Sequence, residues 1–279
     1  ISPNKRYIAS GSKDKTVRIW EVKTGHCINT IEGHSHWIEH VKFTTDNRTL
    51  FTAGRDGQIK IWETKTGHKV NELTYHTDLI SDMILSPDET LLFTASHDRT
   101  IRVWNIENSQ CLHTLEKHTE HIKCLVYLPK YHRLISGGWD NEINIWDIEK
   151  GECLQTVKGH TNWINKIVST PDESKLISIS LDKTIKIWDL ETYQNIATLQ
   201  GHKQDIIDVI CTDDNQFCIS ASQDKTIKIW NIDTEECYQT LEKHTAPLTN
   251  IYSVQDCRYL LSSDQGSNIV LWEFDWLYY

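Results

Sequence analysis

Along the whole chain, short runs of alternating β-branched and polar residues end in tryptophan: TVRIW, QIKIW, TIRVW, EINIW, TIKIW, TIKIW and NIVLW. A period of two places one side of a segment in a core and the other toward water, so each run reads as a half-buried strand. The closing tryptophans (Trp20, Trp62, Trp104, Trp146, Trp188, Trp230 and Trp272) stand 42 residues apart without one insertion or deletion. Each period has room for four short strands. In the second they fall near IEHVKF, TLFTAG, QIKIW after the Arg55-Asp56-Gly57 turn, and KVNEL. A unit of this size cannot bury both faces of its sheet alone. Units packed radially supply one another's missing surface, so the period predicts an all-β propeller of seven blades.

Polar residues recur in the same register. Ser10, Thr52, Thr94, Ser136, Ser178, Ser220 and Ser262 lie ten residues before the tryptophans. Asp14, Asp56, Asp98, Asp140, Asp182 and Asp224 lie six before the first six, with Gly266 in the seventh place. His34, His76, His118, His160, His202 and His244 lie 28 before the last six. Histidine, serine and aspartate together suggest a hydrolase triad, but the set appears complete five times, and an enzyme needs one activated nucleophile in a cleft.

With these columns in register over its whole length, the chain resembles the WD-repeat family. Literal Trp-Asp occurs at Trp146-Asp147 and Trp188-Asp189, and Gly-His at Gly33, Gly159 and Gly201. The resemblance implies a seven-bladed WD-repeat β-propeller with four antiparallel strands per blade. It also implies a structural network: the aspartate holds the histidine ring, which meets the serine or threonine hydroxyl and the tryptophan indole N–H. The members are His34, Thr52, Asp56 and Trp62; His76, Thr94, Asp98 and Trp104; His118, Ser136, Asp140 and Trp146; His160, Ser178, Asp182 and Trp188; and His202, Ser220, Asp224 and Trp230. Gly266 leaves His244 without its usual partner, and the first repeat has no histidine.

Seven full periods need fifteen residues more than the 279 present, and the absent arc is the outer strand of the last blade plus the inner strand of the first. The expectation is a single propeller domain over residues 1–279, part of a longer protein, with its closing blade incomplete. Phe274, Trp276 and Tyr278 alternate like a strand and would cover the open edge.

Composition narrows the function. A formal charge of −10 argues against nonspecific binding of nucleic acid or anionic membrane. No apolar run approaches the roughly 18 residues of a membrane span, and no signal sequence opens the chain. Of eight cysteines, Cys27, Cys111, Cys153 and Cys237 share one repeat position, and no C-x-x-C pair exists. They read as buried, reduced thiols in a cytoplasmic protein, with the nucleus also open to it. His118, His121 and Cys124 lie close in sequence, but three residues on one strand do not converge on a metal unaided. Phosphate-loop, dinucleotide, nucleophile-elbow and H-E-x-x-H motifs are all absent. No enzyme activity, cofactor, metal or small-molecule substrate is expected.

Of eleven tryptophans, Trp37, Trp139 and Trp163 belong neither to the repeat column nor to the tail. In the family resembled, the narrow top face is lined by the residue before the turn aspartate and by residues flanking the first aliphatic of the inner strand. Carried over, the turn positions are Lys13, Arg55, His97, Trp139, Leu181, Gln223 and Gln265. The inner-strand positions are Trp37 and Glu39, Leu79 and Ser81, His121 and Lys123, Trp163 and Asn165, Asp205 and Ile207, and Pro247 and Thr249. All three spare tryptophans land there, with Trp139 beside Trp163 and Leu181. The candidate binding residues are Lys13, Trp37, Arg55, His97, Lys123, Trp139, Trp163 and Leu181. They suit a protein–protein interaction scaffold that takes a peptide or protein loop bearing acidic and aromatic or apolar residues. The alternatives are a sensor or autoinhibitory module of a larger signalling protein, or a reader of a phosphorylated or acidic ligand.

Overall fold

The computed structural model describes residues 1–254 and 257–274, so Trp276 and Tyr278 lie outside the described residues. Two compact units divide the chain: residues 1–129 with 147–153, and residues 130–146 with 154 onward. No helix among the described residues is long and apolar enough to cross a membrane.

The first unit opens with the sheet β1 (Tyr7–Gly11), β2 (Val17–Glu21) and β3 (Cys27–Ile31). Two four-stranded sheets follow. One holds β4 (Ile38–Phe43), β5 (Thr49–Gly54), β6 (Ile59–Glu63) and β7 (Lys69–Leu73); the other holds β8 (Ile80–Leu85), β9 (Leu91–Ser96), β10 (Thr100–Asn105) and β11 (Gln110–Glu116). The boundary runs through the fourth repeat, whose strands are β12 (Ile122–Leu128), β13 (Arg133–Gly138), β14 (Glu142–Asp147) and β15 (Glu152–Lys158). The second unit continues with β16 (Ile164–Ser169), β17 (Lys175–Ser180), β18 (Thr184–Asp189) and β19 (Asn195–Gln200) in one sheet. The next sheet is β20 (Ile206–Cys211), β21 (Phe217–Ser222), β22 (Thr226–Asn231) and β23 (Cys237–Glu242). Last come β24 (Leu248–Val254), β25 (Tyr259–Asp264) and β26 (Ile269–Glu273). Among the described residues the first and last sheets thus have three strands each.

The alternation read from sequence has a packing cause. Ile179, Ile185, Ile187 and Leu199 of the fifth repeat form one buried cluster with Ile206, Val209, Cys218 and Trp230 of the sixth. Val17, Ile19 and Ile31 of the first do the same with Ile38, Leu50 and Trp62 of the second. Each such side chain contributes roughly 1.5–3 kcal/mol by leaving water, and only an adjoining sheet makes that burial possible.

Two devices were not visible in sequence. The turns between first and second strands place Asn47, Glu89, Glu173 and Asn215 at positive φ. From there each side chain accepts an amide N–H of the preceding repeat, as in Asp172 N–H to Asn215 Oδ1 at 3.0 Å and Asn4 N–H to Asn47 Oδ1 at 3.0 Å. In addition, the first strand carries a register shift next to Glu39, Ser81, Asn165, Ile207 and Thr249. Such bulges re-aim a side chain at the end of a sheet.

None of the eight cysteines is in a disulfide. Cys124, Cys218 and Cys257 are buried, but Cys27 and Cys237 are exposed, which corrects the expectation of uniformly buried thiols. Both begin outer strands, β3 and β23, that no further strand covers among the described residues.

Candidate functional site

The recurring polar residues meet beneath the turns joining second to third strands. In the fifth repeat His160 Nδ1 lies 2.8 Å from Asp182 Oδ2, His160 Nε2 lies 2.7 Å from Ser178 Oγ, and the Trp188 indole N–H donates to the same Oγ at 2.8 Å. A carboxylate only accepts, so Nδ1 carries a proton and donates to Asp182. His34 with Asp56 and Thr52, His76 with Asp98 and Thr94, and His202 with Asp224 and Ser220 repeat this arrangement. In the fourth repeat Trp146 donates to Ser136 at 2.8 Å, and His118 is buried. Burial alone would raise the Asp182 carboxyl. The hydrogen bonds from His160 and Thr184, the charge of His160 and the Thr161 amide outweigh it and hold Asp182 well below the usual carboxylate range.

The seventh repeat corrects the sequence reading. His244 does have a carboxylate partner: Asp264 Oδ2 lies 2.7 Å from its Nδ1, while Nε2 meets Ser262 at 2.6 Å. Asp264 stands two residues before Gly266, in the column that elsewhere holds Gly54, Ser96, Ser180 or Ser222. It reaches the ring because its turn folds around it, with Gly266 and Asn268 donating backbone N–H at 2.9 and 3.0 Å and the Asn268 side chain adding another. The His244 hydrogen bond foremost, then these donors against the cost of burial, bring Asp264 down to about 2. The first repeat keeps Trp20 on Ser10 at 3.1 Å, while Asp14 turns to the Thr16 amide and hydroxyl.

At the turn end of the first unit, Trp37 is half-buried and flanked by cations. Lys13 Nζ lies 4.5 Å and Arg55 Cζ 4.4 Å from the indole centroid, and Arg55 also pairs with Glu39 at 2.5 Å. Cation–π contacts at exposed sites are worth roughly 0.5–1 kcal/mol each. In the same unit His97 and His121 stack with centroids 4.2 Å apart. Burial, then the facing His121 ring, lowers His97 to about 4; Asp78 pulls the other way, and Lys123 and Arg55 add to the fall. Lys123 itself is exposed.

At the turn end of the second unit, Trp139 and Trp163 stack face to face, with centroids 4.0 Å apart and planes 3° from parallel. Trp163 remains 40 % exposed and Trp139 is half-buried, so one face of each indole is covered by the other. Leu181 adjoins them, its amide donating to the Trp163 carbonyl at 3.0 Å. Asn165, on the bulge after Ile164, turns away to donate to the Ile206 carbonyl at 2.8 Å. Column counting brought the two tryptophans near each other; it could not show that they stack.

The family described as "WD domain, G-beta repeat" matches seven segments: residues 1–21, 25–63, 67–105, 109–147, 151–189, 193–231 and 235–273. Curated relatives match over shorter stretches. The Lissencephaly-1 homolog of Heterostelium pallidum is 51 % identical over 37 residues, 13 % of this chain and 9 % of that protein. The nuclear distribution protein PAC1 of Coccidioides posadasii is 48 % identical over 46 residues, 16 % of this chain and 10 % of that protein. That of Fusarium vanettenii is 56 % identical over 39 residues, 14 % and 9 % of the two. The matched stretch spans about a tenth of the length of these relatives. With every one of its seven repeats matched, the chain belongs to the WD-domain, G-beta repeat family and has that family's all-β, seven-bladed propeller fold.

Proposed function

We propose that this chain is a non-catalytic interaction scaffold that captures a peptide or protein loop at the turn end of its repeats. Propellers of this family are typical protein-interaction scaffolds. The observation that carries the finer reading is the Trp139–Trp163 pair: the repeat does not require either indole, yet they form a rigid aromatic platform with Trp163 open to solvent. Rigid indoles give large contact area at small entropic cost, as interface hot spots do. The platform suits an apolar or aromatic anchor lying over Trp163 and against Leu181. In the first unit, Lys13, Arg55 and Lys123 suit acidic residues, and His97, neutral near pH 7, adds no positive charge there. The buried serine hydroxyls of the network are committed to histidine and tryptophan, which supports a scaffold without chemistry of its own. Eight cysteines outside any disulfide fit the cytoplasm.

The test is selection of a displayed random-peptide library on the protein, followed by affinity measurement on Trp163→Ala and Trp139→Ala. Selected peptides should bind either variant about thirtyfold more weakly, equivalent to about 2 kcal/mol, with unfolding midpoints close to wild type. Peptides that bind both variants as tightly as wild type would overturn the placement.

A further inference from the structure

A groove of about 400 Å³ opens beside the sixth repeat, walled by Gly201, Lys203, Lys225, Lys228, Thr240 and Glu242. Gly201 is what keeps it open. A Cβ there would lie 3.1 Å from the Trp230 ring, and in the third repeat the corresponding Tyr75 lies against Trp104, with centroids 5.7 Å apart.

Lys203 is the departure that gives the groove its chemistry. The residue after the network histidine is Ser35, Thr77, Thr119, Thr161 or Thr245 in the other repeats. The contact shared at this place is a backbone one: the N–H of Ser35, Thr77, Thr161 and Lys203 each donates to the turn aspartate, at 2.8–3.1 Å, and the Ser35 hydroxyl adds a long contact at 3.5 Å. The Lys203 ammonium is therefore surplus to the architecture. Beside it, Lys225 projects from a turn residue at φ 73°, and Lys228 Nζ is held by the Thr240 hydroxyl at 2.8 Å. Among the described residues the three lysines form no ion pair. Asp224, which also lines the groove, is already occupied by His202, Thr226 and the Lys203 amide. Glu242 is the one other carboxylate on the wall, so three ammonium groups face one uncommitted acid.

We propose that this groove binds the phosphate of a phosphorylated serine or threonine carried by an extended segment of a partner protein. Lysines recognise phosphate as point charges, and three of them match a dianion. The extended segment follows from the wall itself: Thr240 and Glu242 lie on β23, the edge strand of its sheet, which has main-chain groups available for another strand. A charge of −10 over the whole chain repels an anionic bilayer, whereas a phosphate seated in the groove responds to the lysines within a Debye length.

The experiment compares retention of a degenerate peptide library with one fixed phosphoserine against its unphosphorylated counterpart, on wild type, Lys203→Thr and Thr161→Lys. Threonine is native at this position in other repeats, so Lys203→Thr keeps the fold and should cut phosphopeptide affinity about tenfold, as loss of one charge-assisted contact does. Thr161→Lys should create a second site, because Gly159, Lys183 and Lys186 already stand at the corresponding places of the fifth repeat. Equal retention of the two libraries, or phosphopeptide binding unchanged in Lys203→Thr, overturns the proposal. So does binding of phosphatidylinositol 4-phosphate vesicles, sensitive to Lys203→Thr, without any preference between the peptide libraries.

Discussion

Replacing Asp182 by alanine isolates what the buried network contributes to stability. Its carboxylate accepts four hydrogen bonds: from His160 Nδ1 at 2.8 Å, the Thr161 amide at 3.0 Å, and the Thr184 amide and hydroxyl at 3.0 and 2.7 Å. The His160 side chain is 0 % exposed, so its stranded N–H finds no water and costs about 1–3 kcal/mol. The Thr161 and Thr184 donors border solvent and recover part of their loss, at about 0.5 kcal/mol each. The expected total is about 3 kcal/mol. Asp182→Asn keeps the shape and one acceptor but offers an N–H where His160 presents its own, so it should lose about half as much. Urea unfolding at pH 7, followed by tryptophan fluorescence and far-UV circular dichroism, reads the difference if both probes give one transition. The folded-state pKa of Asp182 lies below its unfolded value near 4. Its stabilisation is therefore fully present above pH 4 and fades as pH falls through the folded value, and the gap between wild type and Asp182→Ala should narrow below pH 4. A loss under about 0.5 kcal/mol at pH 7, or a gap that widens in acid, would refute the reasoning.

Gly57→Ala should destabilise by about 2 kcal/mol or more in the same assay. Lys15, Lys183 and Lys225 tolerate positive φ at this turn position, but a Cβ on Gly57 would lie 2.7 Å from the His76 carbonyl oxygen. A loss no larger than the roughly 1 kcal/mol of left-handed strain would show that the carbonyl moves aside. His97 should titrate by NMR with a midpoint near 4, and His97 signals that titrate near 6.5 would contradict the packing against His121.

The seven sheets were legible because one local solution is written seven times. In the second repeat, IEHVKF and TLFTAG coincide with β4 and β5, and the third strand begins at Ile59, one residue later than read. Column arithmetic fails where a turn delivers the same chemical group from another position. Asp264 occupies a column of small residues, Gly54, Ser96, Ser180 and Ser222, and that substitution, rather than the empty place at Gly266, was the signal for a partner to His244. The bulges after Ile38, Ile80 and Ile164 left no comparable trace, since a bulge is a matter of pairing between strands. Nor did the stacking of Trp139 on Trp163, which depends on how two turns present their indoles.

A physical asymmetry makes the turn end the place to look for recognition. The residue before the turn aspartate, or before Gly266 in the seventh repeat, serves the fold through its backbone: Arg55, His97, Leu181, Gln223 and Gln265 each donate their amide to a carbonyl of the loop or strand opposite, at 2.8–3.0 Å. The residue after the network histidine does likewise, its amide meeting the aspartate. A side chain at either column is free of the sheet ladder, so charge, ring or aliphatic group can change from repeat to repeat without moving a strand. By contrast, the serine or threonine ten residues before each tryptophan accepts the indole N–H in repeat after repeat, and there the side chain itself is structural. Lys13, Arg55, Trp139, Leu181 and Lys203 all stand in the unconstrained columns. Strand pairing therefore does not dictate what they carry, which leaves them open to the binding role proposed above.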